Sequence, residues 1–235
     1  MSVSGDMSGI SRIKPLGAKR SAIVTVLDVG STKVCCIIAR LKPREGEALR
    51  RRTHSIEVIG FASTRSRGIK SGVVIDMDEA EKAIRLAVDA AERMAEVTVE
   101  SLIVNVSCGR LKSEAFSATV SLDAPAVQPA DVQRVLASGS AHSVNDGRIV
   151  VHSLPIGYAL DGHHGIADPA GMVGAVLGVD MHVVTADEAQ VSNLELAINR
   201  CHLDVETVVA TPYASGLAAI VDDEAELGVA CFDMG

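Results

Sequence analysis

Apolar and polar positions along this chain recur with two different periods, and the changes of period divide it into elements. Over residues 23–41 (IVTVLDVGSTKVCCIIARL) two apolar, β-branched runs flank one polar turn, Asp28-Val29-Gly30-Ser31-Thr32-Lys33. That is the pattern of a hairpin with glycine where the backbone bends sharply. Residues 55–62 alternate again and predict the third strand of an antiparallel meander, reached through a charged loop at 43–52. SRGIKSGVV, residues 66–74, reads as a basic, glycine-punctuated turn entering a short strand. From Asp76 to Glu96 the period becomes helical, with Ala80, Ile84, Ala87, Ala91 and Met94 stepping by four and three and charged residues off that line. Asp76 is placed to cap the first turn, Glu79 to reciprocate, and the small residues of the stripe predict close packing on the meander.

The period changes again at Ser101. Residues 102–106 and the alternation of Phe116, Ala118, Val120 and Leu122 predict two strands across the basic turn Gly109-Arg110-Leu111-Lys112. Pro129 opens a short helix running to about Ala141. Apolar segments at 149–151, 158–160 and 174–177 are separated by Pro155, Pro169 and several glycines. Residues 99–177 therefore predict a small α+β subdomain inserted into a larger α/β fold. Residues 180–184 resume the earlier pattern, and Thr185 with Glu188 forms a capping box opening a helix through Val191, Leu194, Ile198 and Cys201. A strand at 205–210 leads into a Thr211-Pro212 helix through Leu217 and Ile220. Asp222-Asp223-Glu224 is then an acidic turn before the closing run LGVACFDMG.

Composition narrows the function classes. With 235 residues, 48% of them hydrophobic, the chain can bury a substantial core. A net charge of −8 and only two Tyr and three Phe argue against nucleic-acid binding, which needs a basic face and stacking platforms. No apolar run approaches the length of a membrane span. Residues 1–22 read as a flexible tail. The five cysteines show no CxxC spacing and suit a reducing compartment. Cys108, beside Gly109 at a strand end, is expected to be the most exposed of them. His163-His164 falls in a loop without metal-ligand spacing, and no Ser-His-Asp, Cys-His or zinc constellation points to a hydrolase.

The chemistry concentrates in the first turn. Its backbone N–H groups, the Ser31 and Thr32 hydroxyls and the Lys33 ammonium converge as a phosphate grip, and Asp28 can hold a hydrated Mg²⁺. It is not a P-loop, because the GxxxxGK[ST] spacing is absent and a strand follows instead of a helix. The same strand-Asp-x-Gly pattern returns at residues 229–235, VACFDMG, as a duplicated domain would produce.

On LDVGSTKV, SRGIKSGVV, LPIGYALDGHHGIADPAGMVG and LGVACFDMG, the chain resembles the FtsA family of bacterial cell-division proteins over residues 23–235. The resemblance implies an actin-like (ribonuclease H-like) α/β nucleotide-binding fold with an inserted small α+β subdomain, truncated before the second half is complete. Residues 23–98 and 178–206 would be subdomain 1A, 99–177 the FtsA-type subdomain 1C and 207–235 an incomplete 2A. ATP with Mg²⁺ is the implied cofactor, held by Asp28 through hydrated magnesium, by Gly30, Ser31, Thr32 and Lys33, and by Asp233 and Gly235 opening a second phosphate loop. The family pattern further implies self-association into filaments, linkage of the tubulin-like FtsZ ring to the cytoplasmic face of the inner membrane at the division site, and recruitment of later division proteins. Membrane contact would run through a C-terminal helix that this sequence does not contain. Because the sequence stops at Gly235 within the second loop, it is expected to be a fragment that binds ATP weakly or not at all, with at most slow ATPase activity in the protein it comes from. Two alternatives stay open: a sugar- or acetate-type kinase of the same fold, with Asp161, Asp168 and Asp180 as candidate carboxylates, and a PilM-like pilus-assembly protein.

Overall fold

The structure is a computed structural model describing residues 16–44, 53–141 and 147–232, which fall into two compact units, 111–186 and the remainder. In the larger unit β1 (Ala22–Val29), β2 (Lys33–Pro43) and β3 (His54–Arg65) form the expected antiparallel meander. β6 (Ser101–Val106) adds in parallel to β1, and β11 (Asp204–Ala210) in parallel to β6, giving the order β11-β6-β1-β2-β3. This is the ribonuclease H-like sheet of an actin-like fold. Residues 102–106 thus belong to this sheet and not to the insertion, and β11 runs across position 207 without a break. A small hairpin, β4 (Ile69–Lys70) with β5 (Val73–Val74), precedes α1.

Helix α1 (Met77–Ala95) follows from its sequence almost residue by residue. The Asp76 carboxylate accepts from the Glu79 N–H at 3.1 Å, and Ala80, Ile84, Ala87 and Ala91 are buried. Met94 differs: it lies exposed, while Ala83 and Val88 join the buried face. The reciprocal half of the capping box is replaced, because the Asp76 N–H donates to the Gly68 carbonyl and Glu79 pairs with Lys82. Helix α1 packs on β2 and β3, and α3 (Glu188–Asn199) packs on α1 and β11. Leu27, Ile38, Ile84, Leu102, Val104 and Ile198 are fully enclosed between these layers. Each large side chain so buried contributes about 1.5–3 kcal/mol.

Further local expectations change in this unit. Thr185 does not cap α3, because it is still strand, paired across from Lys112; the N-cap position falls to Asp187, whose side chain makes no capping hydrogen bond. Residues after α4 (Thr211–Ala219) form α5 (Asp222–Leu227) and not a turn, with the Val221 N–H donating to the Glu224 carboxylate. Finally, Val229 to Phe232 carries no strand pairing and is exposed, and Asp233 and Gly235 lie outside the described residues, as do residues 1–15 of the tail and 45–52 of the loop. A strand needs a neighbour for its N–H and C=O groups, and the described residues provide none there.

In the unit 111–186, β7 (Lys112–Ser121), β10 (Val176–Asp187), β8 (Arg148–Leu160) and β9 (His163–Ile166) form a four-stranded sheet in that order. Pro155 does not break β8 as expected: its ring sits at an exposed position, and the strand continues through it. Helix α2 (Pro129–Ser140) covers one face, packing Val135 on Leu177, Val179 and Met181. Asp131 closes its first turn by accepting from the Gln128 N–H and from Arg134. The buried Thr185 hydroxyl accepts from the Arg148 Nε at 2.9 Å.

Cys108 is buried, contrary to its position beside a strand-end glycine, because the tip of the β4–β5 hairpin covers it: a Cβ on Gly72 would stand 3.2 Å from the Cys108 nitrogen. Burial pushes the Cys108 and Cys201 thiols up, and burial with the nearby Glu92 charge pushes Cys36 up to about 12. All five cysteines are free. With a thiol reagent at about pH 8, exposed Cys231 is expected to label first, whereas Cys36, Cys108 and Cys201 label only as the protein opens. Peptide mapping that finds Cys108 modified as fast as Cys231 in the folded protein would contradict this packing.

Candidate functional site

Three parallel strands bring their carboxyl ends to one edge of the larger unit. Asp28 on β1 is directly opposite Asn105 on β6, which is opposite Val209 on β11, and Thr211 opens α4 two residues later. Open α/β sheets collect ligands at this edge, where strands end and loops begin. The Asn105 Nδ2 donates to Asp28 Oδ1 at 3.0 Å, and the Thr211 hydroxyl donates to Asn105 Oδ1 at 3.2 Å. One carboxylate oxygen of half-buried Asp28 is therefore engaged by a neutral donor.

The turn after Asp28 is short because Gly30 closes it on itself, its N–H donating to the Lys33 carbonyl at 3.0 Å. A Cβ there would come within 3.2 Å of that same oxygen, so glycine permits the tight approach. Ser31, Thr32 and Lys33 are exposed at its tip. Two backbone contacts brace the turn. Ser66 N–H donates to the Thr32 carbonyl, and Gly72 N–H donates to the Ser31 hydroxyl oxygen at 3.0 Å. SRGIKSGVV is thus a buttress for the first turn.

Electrostatics at the turn favour an anion. Lys33 and Arg65 are direct cross-strand partners, both exposed, and neither forms an ion pair among the described residues. Like charges placed directly opposite repel, and an anionic ligand offsets that cost. A carboxylate held at one oxygen, two exposed hydroxyls and a cationic rim together fit a magnesium-bound phosphate chain. Asp28, Gly30, Ser31, Thr32 and Lys33 are brought together as the sequence suggested, while Asp233 and Gly235 fall outside the described residues. Asn105 and Thr211 escaped the sequence reading. The signal available was one amide inside the otherwise apolar strand LIVNV, and one hydroxyl just before Pro212.

The three candidate kinase carboxylates are occupied elsewhere, all in the unit 111–186. Asp161 accepts from the Ala175 and Val176 N–H groups, which hold its carboxyl below the usual range, and Asp168 accepts from the Ala170 N–H. Asp180 is bound by the Ser117 hydroxyl and by His164, which lower it likewise. Each shapes a loop or a strand surface. No cluster of His, Cys, Asp and Glu among the described residues has the arrangement of a protein metal cage.

Comparison with known proteins bears on the same architecture. The family model for the SHS2 domain inserted in FtsA matches residues 108–185. The cell division protein FtsA of Rhizobium meliloti (strain 1021) is 57% identical over 237 residues, covering 100% of this chain and 54% of that protein. FtsA of Pseudomonas aeruginosa is 30% identical over 213 residues, covering 91% of this chain and 49% of that protein. The chain spans about half the length of the curated relatives it matches. Among solved structures, a chain of the PilM-PilN type IV pilus biogenesis complex superposes with a TM-score of 0.50 at 12% identity, covering 87% of this chain and 51% of that one, a likeness of fold. With its SHS2 insertion set into an actin-like sheet and its whole length matched by FtsA proteins, the chain belongs to the FtsA family of cell division proteins and corresponds to the N-terminal part of its members.

Proposed function

We propose that this chain is the ATP-binding N-terminal portion of an actin-like adaptor of bacterial cell division. In this reading it self-associates into filaments and ties the tubulin-like FtsZ ring to the cytoplasmic face of the inner membrane at the division site. It also recruits later division proteins, with residues 111–186 acting as subdomain 1C and the chain after β11 entering subdomain 2A. The carrying observation is the braced Asp28-Val29-Gly30-Ser31-Thr32-Lys33 turn at the carboxyl ends of β1, β6 and β11. There Asp28 would orient a hydrated magnesium ion, the Ser31 and Thr32 hydroxyls would bind phosphate at the turn that Gly30 keeps tight, and Lys33 would neutralise its charge. Magnesium bound at this turn would supply charge neutralisation along the phosphate chain. Asp233 and Gly235 would complete the grip from a second loop.

Among the described residues the Asp28 carboxylate is hydrogen-bonded by an amide and, through it, reached by a hydroxyl. A nucleotide-dependent assembler with slow turnover is favoured over a kinase, which needs a general base at the acceptor, because the three candidate carboxylates, Asp161, Asp168 and Asp180, are engaged in hydrogen bonds within the unit 111–186. No helix among the described residues is long and apolar enough to cross a membrane. The test is co-sedimentation of the full-length protein with FtsZ and with vesicles of inner-membrane lipid, with and without ATP. Joint recovery of FtsZ and vesicles that depends on the protein and rises with ATP supports the adaptor. Recovery of neither, together with phosphate transfer from ATP to a small acceptor, would replace it with the kinase reading.

A further inference from the structure

Asn105 is the one amide side chain of a strand whose Leu102, Val104 and Val106 are buried, and it is placed in register between Asp28 and Val209. Both ends of its amide are committed. A carboxylate accepts only, so the Nδ2 must face Asp28, and the Oδ1 then takes the Thr211 hydroxyl proton. The two contacts fix the amide's orientation, and through it they fix the plane of the Asp28 carboxylate. An Arg or Lys in that place would neutralise Asp28, and an Asp would repel it. A neutral amide takes one oxygen and leaves the whole negative charge available to the cation side.

We propose that Asn105, seated by Thr211, is a positioning residue that sets how strongly magnesium supports nucleotide binding at Asp28. The proposal rests on the reading of the Asp28 turn as a magnesium-nucleotide site. Its physical content is orientation: residues behind a carboxylate that serves a metal hold it in one rotamer, and losing such a partner typically weakens metal-dependent affinity by about 10- to 100-fold. Thr211 acts one bond further out and has the smaller effect.

The experiment is calorimetric titration of the full-length protein with ATP, once in excess Mg²⁺ and once in EDTA. For Asn105→Leu the affinity in Mg²⁺ is expected to fall about tenfold while the affinity in EDTA stays within about twofold, so the magnesium enhancement itself shrinks. Thr211→Val is expected to shift the enhancement in the same direction by about threefold, and it serves as the second variant should Asn105→Leu not fold, as judged by its melting curve. Equal losses in Mg²⁺ and EDTA would assign Asn105 a structural role only, and unchanged affinity in both variants would also overturn the proposal. If the unsubstituted protein binds ATP without any magnesium dependence, the reading of the Asp28 turn falls first and this inference with it. If it binds with magnesium dependence that both variants retain, only this inference falls.

Discussion

Replacing Gly60 with valine is expected to unfold the larger unit or to lower its melting temperature by roughly 6–12 °C, the equivalent of about 3 kcal/mol in a chain of this size. Gly60 lies in β3 directly beneath α1. A Cβ added there would sit 2.4 Å from the Ala91 carbonyl oxygen and 2.8 Å from the Ala95 Cβ. The first of these is helix backbone, which has no rotamer to give. Relief therefore requires lifting the helix off the strand, and that opens the layer holding Ala87, Val88 and Ala91. Even alanine is too large. Gly157 in β8 provides the control, since nothing stands within 4 Å of a Cβ added there. Gly157→Ala should stay within about 0.5 kcal/mol of the parent. Equal melting curves for Gly60→Val and the parent would show that the helix does not approach the strand as described.

The second large effect concerns Asp28. Asp28→Asn keeps the side chain's shape and leaves an oxygen to accept from Asn105, but it removes the negative charge. In the full-length protein it is expected to weaken ATP binding in Mg²⁺ about 100-fold, close to 3 kcal/mol. In EDTA the loss should be far smaller, because a carboxylate facing phosphate without a cation only repels it. The melting temperature without nucleotide should hardly move, since the exchange is isosteric and the Asn105 contact survives. A variant that binds Mg²⁺-ATP within threefold of the parent would sink the phosphate-site reading.

Much of this architecture was legible from residue order because the forces responsible act locally. Helix α1 announces itself through a four-three apolar step and an Asp cap, and both are consequences of helical geometry that hold wherever the segment packs. The turn after Asp28 is equally local: glycine permits a bend that Gly30 closes with its own N–H. Where expectation and structure part, a distant partner decided the outcome. Thr185 and Glu188 have a capping-box spacing, but the pairing of β10 with β7 draws Thr185 into the sheet and leaves Asp187 at the N-cap position. Pro155 was expected to end a segment, yet its ring occupies an exposed position and β8 continues. Cys108 was expected at the surface, and a hairpin more than thirty residues earlier in the chain covers it.

The sequence by itself determined the meander, the first helix, the tight turn that carries Asp28, Gly30, Ser31, Thr32 and Lys33, and the presence of a small α+β insertion in an α/β fold. These follow from periodicity, caps and turn chemistry, each set within a few residues. Only the tertiary structure decided that residues 102–106 and 204–210 lengthen the first sheet, that SRGIKSGVV braces the turn, and that Asn105 and Thr211 stand behind Asp28. The reason is that parallel strands pair through non-local hydrogen bonds. Asp28, Asn105 and Thr211 are separated by 77 and 106 residues, and no local pattern records which strand end will be opposite which.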